Sequence, residues 1–368
     1  MKKPIRLLRV LAGVLLVLLW AVPCHADALA EAVGAESSGL SRLPQGAAEA
    51  LEDMSPAAAD PDRALAAIGR MLQSHFRKAL EEALHPAAAV TAAAMLCALV
   101  TPLNLREAGR FDYVTFGGCL AVAAAAVGDV QSVLHLGMDT VNALTDYAGA
   151  LLPALTAAAA GAGAIHSAGG KYAAAALFSQ LLVTVGRELI VPMICAYVAA
   201  AAAGAALGTG QLQGVSKMLQ WGVRHLLRGL VLCFTAYLGF TGVLMTAADT
   251  AAVKAAKAAL STALPIVGQT LSGVSDSLVA GAELLRASLG VFGMLAVLAA
   301  AALPVLRLGL RYLVFKLAAA AVSAFTAGPL AGLIDAIGSA YGMVLGLVGA
   351  AAVMHFFAIV SLLRSVTA

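Results

Sequence analysis

The chain has 368 residues, of which 61% are hydrophobic and 12% charged, whereas soluble domains average about 45–50% and about 25%. So much apolar surface must face lipid, which excludes a soluble enzyme. The formal net charge of +3 comes from dispersed cations rather than a basic face interleaved with aromatics, which excludes nucleic acid as a partner.

Lys2, Lys3, Arg6 and Arg9 precede an apolar run from Val10 to Val22, and Cys24-His25-Ala26 follows. This three-part layout predicts a cleavable signal peptide over 1–26. Residues 27–62, rich in Ala, Gly, Ser, Pro and acid, read as a short, flexible exported linker. Over 63–85, Leu65, Ile68, Leu72, Phe76, Leu80 and Leu84 recur three or four apart among Arg70, Arg77, Lys78, Glu81 and Glu82. That spacing predicts an amphipathic helix lying on the membrane or the bundle, or docking a partner. His85-Pro86 should end it.

From residue 86 to 368 the chain reads as a multi-span transmembrane domain. Spans of about 20 apolar residues are predicted at 86–103, 113–128, 146–165, 172–207, 229–247, 287–305, 312–328 and 341–363. The fourth is too long for one crossing and carries Arg187-Glu188 and Pro192 near its middle, so a split there is expected. The split places ten Lys and Arg of the loops on the cytoplasmic side against four opposite, in line with the positive-inside rule. Nine membrane-entering segments follow, with the C-terminus inside and 249–286 outside. The fold class is all-α, a polytopic helical membrane bundle.

Within it, Gly338, Gly342, Gly346 and Ala350 step four apart along one face of the last helix. Such a face packs closely on the same chain, on a second copy or on another membrane protein. Leu at Gly342 or Gly346 should therefore impair assembly, while Val344, pointing elsewhere, should tolerate Leu. Gly204/Gly208 and Gly328/Gly332 repeat the spacing. Arg187 and Glu188 are candidate polar residues at a hairpin tip or within the membrane. Lys316 and Arg311 should snorkel to the cytoplasmic side, and Asp129, Asp146 and Asp335 should sit in headgroup water near span ends. The segment 249–286, with Asp249, Lys254, Lys257, Pro265, Gly273 and Asp276, is too polar to span comfortably and too apolar for a plain loop. It reads as a re-entrant or interfacial hairpin.

Cys97, Cys119, Cys195 and Cys233 lie in apolar runs and read as small buried hydrophobes. No nucleotide-binding, zinc-protease, hydrolase or dinucleotide motif occurs, and the histidines are scattered. No catalytic, cofactor or metal residue is predicted.

The run from Asp249 to Ala258, then Leu264-Pro265-Ile266-Val267-Gly268, Val279-Ala280-Gly281 and Leu289-Gly290-Val291-Phe292-Gly293, resembles the stage III sporulation protein AE family. Gly170-Lys171 ahead of the fourth apolar run with Pro192, and Val215-Ser216-Lys217 ahead of Trp221, resemble it too. The likeness covers roughly 86 to 368. Gly273 stands where the family pattern has an acidic residue. The resemblance implies a multi-pass protein of the mother-cell membrane around the engulfed forespore. It further implies a subunit of a channel-like, secretion-like complex with ring-forming proteins and a secretion-type ATPase as partners, in a structural or conduit role. The interrupted fourth run and the Pro-Gly break near 265 carry a second reading, an autonomous secondary transporter.

Overall fold

The computed structural model describes residues 61–100, 113–208, 210–263, 268–325 and 328–364; the signal peptide and almost all of the linker lie outside the described residues. Its elements are α1 (Pro61–Val100), α2 (Tyr113–Gly161), α3 (Ile165–Val185), a π-helical turn (Gly186–Ile190), α4 (Val191–Leu207), α5 (Gly210–Ala263), α6 (Gly268–Phe325) and α7 (Pro329–Leu363). The π turn joins α3 to α4 without a loop, so the described chain forms six rods, each long and apolar enough to cross a membrane. The protein is a polytopic helical membrane protein.

Six rods replace the nine segments expected from hydropathy, because three predicted breaks are not breaks. Asp129 and its polar neighbours, expected between two spans, continue α2 as helix. No Gly-Pro signal interrupts residues 129–146, and Asp129 finds partners on other helices. The predicted 287–305 and 312–328 spans are one helix, α6, with Pro304 inside it. Arg307 and Arg311 lie between them and pair across the bundle with Glu82 at 4.0 Å and Asp129 at 3.6 Å.

The third break, at Arg187-Glu188, is the π turn. Proline at 192 has no N–H to give Glu188, and its ring crowds the carbonyl four residues back. Here the Val191 N–H donates to Gly186 O, one residue further back than in an α-helix. The extra residue widens the helix beside Pro192 and lets the rod continue. The hairpin reading of Arg187-Glu188 is therefore corrected.

Helix α1 also runs through Pro86, against the expected stop. The buried stripe Ala79, Ala83, Ala87, Val90, Ala94 and Cys97 keeps its spacing across the proline. Its packing, chiefly on α6, offsets a proline penalty of about 3 kcal/mol. In the amphipathic half the buried face is Ala64, Ile68, Met71, Ala79 and Ala83, while Leu65, Phe76 and Leu84 are about half exposed. The small residues face inward because they let α1 approach its neighbour closely. This half lies on the bundle.

The predicted break at 264–267 coincides with the end of α5 at Ala263 and the start of α6 at Gly268; residues 264–267 lie outside the described residues. The two arms of the 249–286 segment, 249–263 and 268–286, are continuations of the α5 and α6 rods. The α4–α5 corner turns at Gly208, whose φ of +63° is left-handed and suits glycine at a helix C-terminus.

Helix α7 is the axis. Gly338 and Gly342 face Phe315 and Tyr312 of α6, Val344 meets Gly137 of α2, and Gly346 faces Leu227 of α5. His355 reaches Ser179 of α3. At its far end, Lys171 Nζ donates to Ser361 O at 2.8 Å and Gly290 lies against Leu363. The end of α7 thus shares one face of the bundle with the start of α3, Gly290 and the outer part of α5. With six rods instead of nine segments, the C-terminus moves to the same side as 249–286, a correction to the expected arrangement.

Candidate functional site

Two adjoining cavities open between the α4–α5 hairpin and the α6–α7 hairpin. The larger, about 540 Å³, is lined by Tyr197, Gly204, Gly208, Lys217, Gly328, Gly332, Asp335 and Ser339, among others. The smaller, about 250 Å³, is lined by Arg224, Leu227, Tyr312, Lys316, Ser339, Gly342 and Gly346, with apolar neighbours. Ser339 belongs to both, so they form one crevice. All three glycine series noted in the sequence border it. Their missing side chains here make space as well as close contact: a Cβ at Gly332 would meet nothing within 4 Å, and one at Gly346 only Leu227 at 3.6 Å.

The crevice wall is more apolar than polar, and its charged groups are predominantly basic. Lys316 Nζ donates to Asp335 Oδ1 at 2.7 Å and to Ser339 Oγ at 2.8 Å, and lies 5.9 Å from the Tyr312 ring centre. Lys316 therefore reaches across to α7 near the α6–α7 connection. Arg224 and Lys217 project from α5 and are exposed. Lys217, Arg224 and Lys316 stand against the one carboxylate of Asp335.

Behind the crevice lies a buried polar layer. Tyr341 Oη donates to Asp129 Oδ2 at 2.6 Å, and Arg311 approaches the other oxygen at 3.6 Å. The two ionic side chains are only 13% and 10% exposed. Asp129, expected in headgroup water, and Arg311, expected to snorkel, instead pair with each other inside the bundle. A lone charge at membrane depth costs about 2.5–3.5 kcal/mol on insertion scales, so opposite charges placed on α2 and α6 draw the two helices together. Arg307 Nε remains buried without a hydrogen-bond partner.

At the opposite end, Asp249 of α5 closes the start of α3. Its carboxylate accepts the His166 and Ser167 backbone N–H groups, both at 2.9 Å, and lies 3.0 Å from His166 Nδ1. These N–H groups would otherwise be unsatisfied at a helix N-terminus. Burial pushes the Asp249 carboxyl pKa up, but hydrogen bonds from Ser167 and His166 outweigh it and hold the carboxyl below its ordinary range.

Of the remaining predicted residues, Arg187 and Glu188 are exposed on the π turn, and Ala350 is buried in the core. The side chains of Lys257 and Asp276 lie outside the described residues. Among the described residues, no three His, Cys, Asp or Glu side chains come together as a metal site. Tyr197, Arg224 and Tyr312 were not singled out from the sequence. Opposite charges recurring in separate apolar runs, Asp129 with Arg311 and Asp335 with Lys316, were the available signal.

The family model described as stage III sporulation protein AE matches residues 60–365. Comparisons with curated proteins and with solved structures give no match.

Proposed function

The chain belongs to the stage III sporulation protein AE family, and from that membership we propose that it is a membrane subunit of a channel-like complex joining mother cell and engulfed forespore. The observation that carries the reading is a family match running through all six apolar rods. It includes the amphipathic half of α1, which lies ahead of the region where the sequence resemblance was noted. A structural or conduit role fits a chain whose buried charges Asp129 and Arg311 pair with each other inside the bundle. Its partners would be ring-forming proteins and a secretion-type ATPase, and its place the mother-cell membrane around the forespore. The transporter reading loses one of its two supports, because the fourth apolar run is a continuous rod and not two half-helices.

The test is removal and recovery in an endospore-forming host. Loss of the chain is expected to lower heat-resistant spore yield by orders of magnitude and block forespore gene expression after engulfment. Affinity capture from sporulating membranes should bring down the ring proteins and ATPase. Normal spore yield without the chain, or capture of the chain alone under gentle solubilisation, would overturn the proposal.

A further inference from the structure

The crevice between the two hairpins has the chemistry of an amphiphile site. Its larger chamber, about 540 Å³, falls in the range of about 300–1,000 Å³ typical of small-molecule sites. Cationic and hydroxyl groups gather where the chambers meet, at Lys316, Ser339 and Arg224, and the smaller chamber adds the apolar walls of Val223, Leu227 and Met343. The mouth is marked by a second observation. Lys217, Trp221, Arg224 and Arg228 recur at helical spacing along one exposed stripe of α5, with Trp221 60% exposed. Tryptophan flanked by lysine and arginine on a membrane helix is the pattern of an anchor at headgroup level, and basic pockets between membrane helices suit anionic lipid headgroups.

We propose that this crevice binds an anionic phospholipid, its phosphate held by Lys217, Arg224 and Lys316 and an acyl chain lying along Leu227 and Met343. Ser339 and Tyr197 supply hydroxyls for the glycerol-phosphate oxygens. The absent side chain at Gly346 leaves room beside Leu227, while Gly342 lets the Tyr312 ring lie close against α7. The proposal depends on the chain lying in a bilayer and not on its part in sporulation, so a failed spore assay leaves it standing.

The test uses the full chain carrying Trp20→Phe, which leaves Trp221 as the sole tryptophan, reconstituted in phosphatidylcholine vesicles. Brominated phosphatidylglycerol or brominated phosphatidylcholine is added at equal mole fraction and quenching of Trp221 is read. Phosphatidylglycerol should be preferred. The preference should fall about fivefold for each of Lys217→Gln and Arg224→Gln, the effect of about 1 kcal/mol per basic residue near a membrane surface. Arg224→Lys should keep most of it. Equal quenching by the two lipids, or an undiminished preference in the double Gln variant, would overturn the site. Loss of the preference on adding inorganic phosphate, but not chloride at matched ionic strength, would assign the crevice to a soluble anion and overturn the lipid reading.

Discussion

At the scale of single residues, the close approaches of α7 rank its substitutions differently from the four-residue spacing alone. Val344 is 2% exposed, and its Cγ1 fills the space a Cβ on Gly137 would take. A Leu at 344 thus enters a filled contact, where overpacking costs about 1–3 kcal/mol. Gly342→Leu meets the Tyr312 ring at 3.0 Å, whereas Gly346→Leu borders the crevice. We expect Val344→Leu and Gly342→Leu to lower the thermal midpoint of the purified protein and Gly346→Leu to leave it near wild type. A midpoint for Gly346→Leu as low as the other two would contradict that ranking. Asp249 carries a pH signature. Its folded pKa lies below the unfolded value of about 3.9. Its contribution is therefore complete well above that value and lost as pH falls toward and through the folded pKa. Wild type should lose stability over this acidic window relative to Asp249→Asn, which lacks the titration; parallel stability–pH curves would refute the role. The identity of the glycine stripe was legible in the sequence, but its facing residues were not. Spacing within one helix does not specify which side chain of another helix fills the groove.

At the scale of elements, the charged and proline positions were legible as exceptions to the apolar pattern, yet their outcome depended on partners far along the chain. Asp129 lies 182 residues before Arg311, and hydropathy windows cannot pair them. Each unpaired charge therefore looked like a loop. The π turn makes this testable. Deleting Leu189 removes the extra residue and restores regular helix, which returns a carbonyl to the Pro192 ring. The deletion should destabilise the protein by about 3 kcal/mol, and adding Pro192→Ala should recover most of the loss. Calorimetry or thermal melts in detergent would show it. A deletion variant as stable as wild type, or one not rescued by the alanine, would mean the π turn is not there to accommodate the proline.

At the scale of the whole molecule, the multi-pass helical class was legible from composition alone, whereas the number of crossings and the side of the C-terminus were not. The structure puts Arg364 on the same side as Glu283 and opposite Lys217. In a cysteine-free background, single cysteines at 364 and 283 should react with a membrane-impermeant thiol reagent from the same side, and one at 217 only from the other. Opposite reactivity of 364 and 283 would restore the nine-segment arrangement. Helix α7, with 35 residues, is about 52 Å long at 1.5 Å per residue, against a hydrocarbon core of about 30 Å. The bundle therefore extends beyond the lipid, and its paired charges need not all lie at hydrocarbon depth. The axial place of α7 also sets an order of biosynthesis. Chains emerge from the ribosome N-terminus first, so the helix on which α2, α3, α5 and α6 converge is made after all four of them. Until it arrives, the earlier rods lack the contacts made by Val344, Tyr341 and His355. A chain truncated before residue 329 therefore lacks the helix on which the others converge, and the bundle closes only once α7 has entered it.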